Sequence, residues 1–332
     1  MTSLKSEWPG FGNVPEDEQL PIARSQSQEL ARWIWYDGEL READDLRVHY
    51  YANALHYGTA VFEGIRIYPT DSGPALLRPR DHVERMLRSA SLYGMRVPYT
   101  LDDLVSAVVA VTRANDEHDA YLRPLAYYGR GPIDLKPKLH CPVHVFIAVR
   151  RLGTFLGEGA LRNGIKVMIS SWRRVHHTML PVMAKASGHY ANGVLAAHEA
   201  LDHGCDDAIL LNQDGTVSGA TGGNVFFVRD GTLFTNDEAS SIVPGITRDC
   251  ILRIAAEHEV PVTIRPFTRE DLTRADEIFL TGTAAEVTPI RELDGIAFPT
   301  GKQTFGAMFQ RAYLRAVTGK EDLHRDWLVL AT

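Results

Sequence analysis

The sequence predicts an α+β, or mixed α/β, chain in two parts. Three observations carry that expectation. Hairpin dipeptides interleave with amphipathic segments without strict strand–helix–strand alternation, a turn-rich stretch near the middle separates two periodic halves, and 332 residues suit about two domains.

Residues 1–32 are rich in Pro, Gly, Ser, Glu and Gln without apolar periodicity and read as an N-terminal surface extension. The first domain, 33–150, opens with ARWIWYDGEL, where aromatic and aliphatic residues flank the hairpin signal Asp37-Gly38. AVFEGIRIY follows as a β-type segment. In PRDHVERMLRSASLYG, Val83, Met86, Leu87 and Ala90 recur at helical spacing up to a stop at Gly94. Thr100 precedes LDDLVSAVVAVTRAN with Asp103 three residues on, an approximate capping box for a second helix. HCPVHVFIAVR places Val143, Val145, Ile147 and Val149 on one face of a strand. The turn-rich RLGTFLGEGALRNG then supplies the interdomain loop, 151–160.

The second domain, 161–332, begins with the strand IKVMISSW and the helix ANGVLAAHEALDHG, which stops at Gly204. Hairpins turn at Asp214-Gly215 and Asp230-Gly231. PGITRDCILRIAAEHEV reads as a Pro-led helix, and Thr268 with Asp271 caps another. The strand EIFLTG runs into the small-residue loop TAAEVTP.

Composition narrows the function classes. Hydrophobic residues at 45% and charged residues at 23% argue for a globular chain rather than disorder. A net charge of −7 without a basic block argues against a nucleic-acid partner. No apolar run approaches membrane-spanning length, and no secretory signal opens the chain. Cys141, Cys205 and Cys250 are odd in number and far apart, which fits a reducing cytoplasm better than a disulfide scaffold. No HExxH, Cys/His zinc spacing, GxSxG, GxGxxG or P-loop is present, and the adjacent His176-His177, if on a strand, would face opposite ways; no metal is expected.

Some segments carry chemistry with two readings each. PGITRD offers the free N–H groups of Ile246 and Thr247 at a helix's positive end, an anion site or simply a well-capped helix. Gly282-Thr283-Ala284-Ala285 could offer N–H groups in the same way. Lys185 in MLPVMAKASGHY either snorkels to water or is held out of it, and only the second suits a Schiff-base nucleophile. Arg85 lies mid-helix and reads as a solvated face residue on its own. Arg66 and Arg123 follow aromatic strand-like runs, so each meets either an ion-pair partner or a bound anion.

Together these segments resemble the branched-chain aminotransferase family of fold-type IV pyridoxal-phosphate enzymes. The likeness runs from about Trp33 to about Thr318 through ALHYGTAVFEGIR, PRDHVERM, AYLRPL, ISSW, AKASGHY, GNVFFV, SIVPGITRD and FLTGTAAEVTP, in the family's order. It implies a transaminase that moves an amino group between an apolar L-amino acid and 2-oxoglutarate, with pyridoxal 5'-phosphate as cofactor. Lys185 would be the catalytic, cofactor-binding lysine and Tyr190 would bond the cofactor's phenolic oxygen. Arg85, Ile246, Thr247 and Thr283 would hold the phosphate, while Val243, Gly222 and Gly223 would flank the ring. Phe62, Gly64, Arg66, Tyr121, Arg123, Phe155, Ala284 and Ala285 fall in substrate-pocket segments. Tyr57 matches a residue lent by a second subunit, so a homodimer is implied.

The match breaks at one informative place. The family reads Ser-Glu-Gly-x-x-x-Asn where this chain reads Ser218-Gly219-Ala220-Thr221-Gly222-Gly223-Asn224, so the glutamate that faces the pyridine nitrogen is Gly219 and a second family carboxylate is Gly223. A charge-assisted hydrogen bond of that kind is worth roughly 1.5–3 kcal/mol, and its loss makes the ring a poorer electron sink. That break motivates an alternative, a fold-type IV enzyme of another reaction type such as a lyase or racemase. Leu152 and Phe155 stand where bacterial members carry Trp and Tyr, which points to a shifted substrate range. Thr221, two residues past Gly219, would face the same way in an extended chain; its hydroxyl either meets the ring nitrogen or simply packs.

Overall fold

The computed structural model describes residues 31–151 and 159–332. The expected extension and the pocket-wall positions Leu152 and Phe155 therefore lie largely or wholly outside the described residues. Up to Arg151 the chain forms β1 (Trp33–Tyr36), β2 (Glu39–Glu42), α1 (Asn53–Tyr57), β3 (Ala60–Phe62), β4 (Ile65–Thr70), β5 (Gly73–Leu77), α2 (Pro79–Leu92), α3 (Leu101–Ala114), β6 (Ala120–Tyr128), α4 (Pro137–His140) and β7 (Val143–Arg150). From Gly159 onward it forms α5 (Ala160–Asn163), β8 (Ile165–Arg173), α6 (Ser187–Asp202), β9 (Asp207–Leu211), β10 (Val217–Ala220), β11 (Asn224–Arg229) and β12 (Thr232–Thr235). It continues through α7 (Ile246–Glu257), β13 (Val262–Ile264), α8 (Arg269–Thr273), β14 (Glu277–Gly282), β15 (Glu286–Leu293), β16 (Ile296–Ala297), α9 (Phe305–Val317) and β17 (Leu328–Leu330).

Local chemistry explains many of these boundaries. The first hairpin turns on Asp37 and Gly38, both at positive φ, as a two-residue turn between twisted strands demands. Thr100 and Asp103 form the expected reciprocal capping box on α3. The buried faces of α2 (Val83, Met86, Ala90) and α3 (Leu104, Val108, Val111) pack on Ile65, Leu122 and Ile147 of the first sheet. Full burial of each such aliphatic side chain stabilises by roughly 1.5–3 kcal/mol.

The first sheet runs β17-β5-β4-β6-β7-β1-β2, with β3 also on β6, and its pairings are antiparallel. The second runs β10-β9-β8-β15-β14-β11-β12-β13, with β16 on β15. Parallel contacts occur at β15–β8, β8–β9 and β12–β13, so the sheet is mixed.

Five expectations are corrected. AVFEGIRIY is two strands, because Glu63 and Gly64 break the run. The helix after Lys185 starts at Ser187, ahead of Ala191, and TAAEVTP is loop only to Ala285, since β15 begins at Glu286. The range 161–332 does not close on itself: β17 crosses to pair with β5, and Tyr68 and Leu77 join Phe226, Phe279, Phe309 and Tyr313 in one core. His176 and His177 lie beyond β8 with their rings 3.9 Å apart, so opposite strand faces do not apply to them.

Candidate active site

A cleft is lined by the residue after β8, the segment from Ala184 to Tyr190, the bend between β10 and β11, the approach to α7 and the end of β14; α2 adds Arg85. It holds about 830 Å³ of empty space, its open mouth included, which suits a cofactor.

The anion end is built first by backbone. Gly245 is the N-cap of α7 and no side chain caps the helix, so the first-turn N–H groups of Ile246 and Thr247 remain available at its positive end. A Cβ on residue 245 would lie 2.2 Å from Asn224 Oδ1, which leaves glycine as the residue that fits. Asn224 Nδ2 donates to Val243 O at 3.2 Å and Arg85 Nη1 donates to Pro244 O at 2.7 Å, so both side chains pin this approach.

Arg85 is not the solvated helix residue its position suggests: it is buried. His82, Arg85 and Ser89 share one face of α2 at i, i+3 and i+7, and that face meets Glu63, which is wholly buried. Glu63 Oε1 accepts from Arg85 Nε at 2.6 Å; Oε2 accepts from Arg85 Nη2 at 2.9 Å and His82 Nδ1 at 2.7 Å. Burial pushes the Glu63 carboxyl up, but Arg85 and His82 outweigh it and hold it well below the usual carboxylate range. Sequence reasoning missed Glu63, although an acid wedged between two buried strands was the available signal.

Lys185 is half-buried and does not snorkel. Its Nζ donates to Tyr190 Oη at 2.7 Å and sits 4.9 Å from the Phe62 ring centre. Its backbone is fixed from two sides, by N–H donation to Ser89 Oγ and by its carbonyl accepting from Phe62 N. Burial raises the Tyr190 phenol, yet the adjacent Lys185 charge and hydrogen bond bring it below its ordinary value. Starting α6 at Ser187 is what places Tyr190 in its first turns, back over Lys185.

Phe62 links this amine to Arg123 and, through it, to Tyr121. The Arg123 guanidinium lies 4.5 Å from the Phe62 ring centre, and its Nη2 donates to Tyr121 Oη at 3.2 Å. A Cβ on Gly64 would fall 1.8 Å from Tyr121 Oη, so that phenol rests directly on the glycine backbone. Arg66 takes the ion-pair alternative: it pairs with Asp119 at 2.9 Å and Glu286 at 3.7 Å, which balances its charge within the protein. Val243, Gly222, Gly223 and Thr283 line the cleft, while Ala284 and Ala285 form the turn beside it. Tyr57 stands at the end of α1 in an exposed aromatic patch with Tyr50 and Tyr51.

Thr221 departs from the extended-chain expectation. β10 ends at Ala220, so Thr221 sits in the following bend rather than in an extended chain. Its hydroxyl donates to Asp207 Oδ1 at 2.6 Å.

Comparison with known proteins decides the family. Residues 60–293 match the model of the family described as amino-transferase class IV. The chain belongs to that family. A branched-chain-amino-acid aminotransferase of Pseudomonas aeruginosa is 41% identical over 298 residues, covering 90% of this chain and 96% of the relative. The crystal structure of the Escherichia coli branched-chain amino acid aminotransferase superposes with a TM-score of 0.88 at 39% identity, covering 91% of this chain and 100% of that one. That of Thermobaculum terrenum, solved in its pyridoxal-phosphate form, gives 0.85 at 33% identity, covering 92% and 100%.

The protein is thus a fold-type IV enzyme, a transaminase dependent on pyridoxal phosphate. The residues present fit that cofactor, with an amine at Lys185 and an uncapped helix terminus beside a buried guanidinium. The buried Thr281 hydroxyl on the cleft wall also lacks a hydrogen-bond partner among the described residues. No helix among the described residues is long and apolar enough to cross a membrane.

Proposed function

We propose that the protein transfers the amino group of an apolar, branched-chain-like L-amino acid to 2-oxoglutarate, with a substrate range shifted from that of its relatives. The observation that carries this reading is the pairing of Lys185 with Tyr190 against Phe62 and Arg123. One wall of that place is apolar and the other is cationic.

When bound, pyridoxal phosphate supplies the aldehyde that takes up the amino group and a ring that withdraws electrons from the substrate's Cα. The protein's own residues do the rest. Arg85, Ile246 and Thr247, with Thr283, hold the phosphate, and Glu63 keeps the Arg85 fork in place. Val243 and the Gly222-Gly223 backbone flank the ring. Tyr190 holds the phenolic oxygen. The Lys185 amine takes and returns a proton on the side where the substrate's Cα lies.

Phe62 receives an apolar side chain, and Arg123 meets the second carboxylate of a dicarboxylic acceptor. Tyr121 and the Ala284-Ala285 backbone offer donors to the α-carboxylate. Tyr57 of a second copy closes the pocket in a homodimer; the exposure of Tyr50 at 68% and Leu55 at 64%, close to it in the chain, supports that assembly. The deciding experiment offers purified holoprotein a panel of amino acids with 2-oxoglutarate and quantifies glutamate, keto acid and ammonia. Stoichiometric keto acid and glutamate from leucine, isoleucine or valine support the proposal. Free ammonia, or an inverted product with no glutamate, rejects it.

A further inference from the structure

Gly219, near the end of β10, raises the question of what meets the pyridine nitrogen when the family's glutamate is gone. A Cβ on Gly219 would start 2.8 Å from Gly223 O, and one on Gly223 would start 2.9 Å from Thr281 O. Ala220 N donates to Gly223 O at 3.0 Å, so the backbone has closed over both positions that carry carboxylates elsewhere in the family. The space beside residue 219 is held by another side chain, for Arg174 Nη2 lies 3.8 Å from that absent Cβ.

Arg174 follows β8, with its backbone N–H donating to Leu211 O at 2.9 Å. Its guanidinium lines the cleft, where Nη2 donates to Ala220 O at 2.6 Å and Nε to Ser218 Oγ at 3.3 Å. No carboxylate among the described residues forms an ion pair with it. The titratable groups around it are Tyr190, Asp207 and His189. Asp207, the one acid of the three, is itself buried and already accepts from the Thr221 hydroxyl and from Ala208 N at 2.8 Å. A half-buried guanidinium that faces a cleft, with no carboxylate partner among the described residues, seeks an acceptor there.

We propose that Arg174 stands in for the missing glutamate, directing a guanidinium N–H at the lone pair of the pyridine nitrogen so that this nitrogen stays unprotonated. The proposal rests on the cofactor placement given above. Guanidinium is a donor only, so a nitrogen that faces it must present its lone pair. Thr221 would impose the opposite state. Its single proton is spent on Asp207, so its oxygen could only accept from a protonated ring. With the Thr221 hydroxyl committed to Asp207 and no carboxylate lining the cleft among the described residues, Arg174 is the favoured partner.

The test uses holoprotein loaded with pyridoxal phosphate carrying nitrogen-15 in the ring and reads that nitrogen by NMR. A resonance in the neutral-pyridine range that does not move with buffer pH, or in Thr221→Val, is expected. Arg174→Glu should move it into the pyridinium range. If that variant does not fold, Arg174→Gln should leave a resonance that titrates with buffer pH, unlike the parent. A pyridinium resonance in the unmodified protein overturns the proposal, the more so if Asp207→Asn returns it to the neutral range. An Arg174 variant with an unchanged resonance overturns it as well. If no bound resonance appears at all, the cofactor placement itself fails, which is a different result from a bound pyridinium.

Discussion

Glu63→Gln perturbs the site at one atom and tests how the phosphate arginine is held. Glu63 is acceptor-only and both of its oxygens are in use: Oε1 takes Arg85 Nε, and Oε2 takes Arg85 Nη2, His82 Nδ1 and, at 3.3 Å, Gly64 N. Glutamine has the same shape but must turn an NH2 toward one of those positions. It then opposes one donor or three, and the Arg85 charge loses its buried counter-ion. Breaking one partner of a buried pair costs about 3–5 kcal/mol. If half of that falls on Arg85 orientation, cofactor affinity drops about tenfold to a hundredfold. Urea unfolding of the cofactor-free protein reads the first quantity and fluorescence titration with pyridoxal phosphate reads the second. A variant within about 0.5 kcal/mol of the parent in stability, with unchanged affinity, would refute the reasoning that Glu63 positions Arg85.

Tyr190→Phe removes the phenol bonded to Lys185 Nζ and should lower turnover roughly tenfold or more, as loss of a charge-assisted hydrogen bond of 1.5–3 kcal/mol implies. A shift of the bound cofactor's absorption should accompany it, and stopped-flow spectra check both. Arg123→Met should raise KM for the dicarboxylic acceptor by roughly tenfold to a hundredfold, in line with one charge-assisted contact, and leave the apolar donor's KM nearly unchanged. Steady-state kinetics with each substrate varied separate the two. Stability should also fall on acidification. Burial lowers the imidazoles of His82 and His189, so below the unfolded-state value of about 6.5 the unfolded chain binds protons that the folded one refuses. The loss starts near that value and deepens until each folded-state imidazole protonates. Denaturant midpoints across pH 5 to 7.5 should show it, and replacing both histidines by glutamine should flatten that window.

What was legible in the sequence was local. Asp37-Gly38 and Asp230-Gly231 form turns with positive φ at both residues, and the Thr100–Asp103 and Thr268–Asp271 boxes cap their helices, because each feature is decided within a few residues. The Lys185 segment and PGITRD stand out in the sequence as candidate sites, and the structure brings both to one cleft. The missed features depend on distant partners. Glu63 breaks a strand because Arg85 and His82 claim its carboxylate from another element. Ser187 and Gly188 are poor helix formers, yet they open α6, where Gly188 N donates to Gly58 O. Leu328–Leu330 is too short to reveal which sheet it will join. The Thr304-capped helix α9 could have been found from Phe309, Ala312, Tyr313 and Ala316 at helical spacing. Arg174 resembles any arginine after a strand until Gly219 is seen to have vacated the space beside it.

The central claim is that Lys185 carries the cofactor. Incubating the protein with pyridoxal phosphate, reducing with borohydride and mapping the peptides tests it most directly. A single phosphopyridoxyl adduct on the Lys185 peptide, absent in Lys185→Ala together with turnover, is predicted. Adducts spread over surface lysines with none on that peptide, or full turnover in Lys185→Ala, would contradict the account.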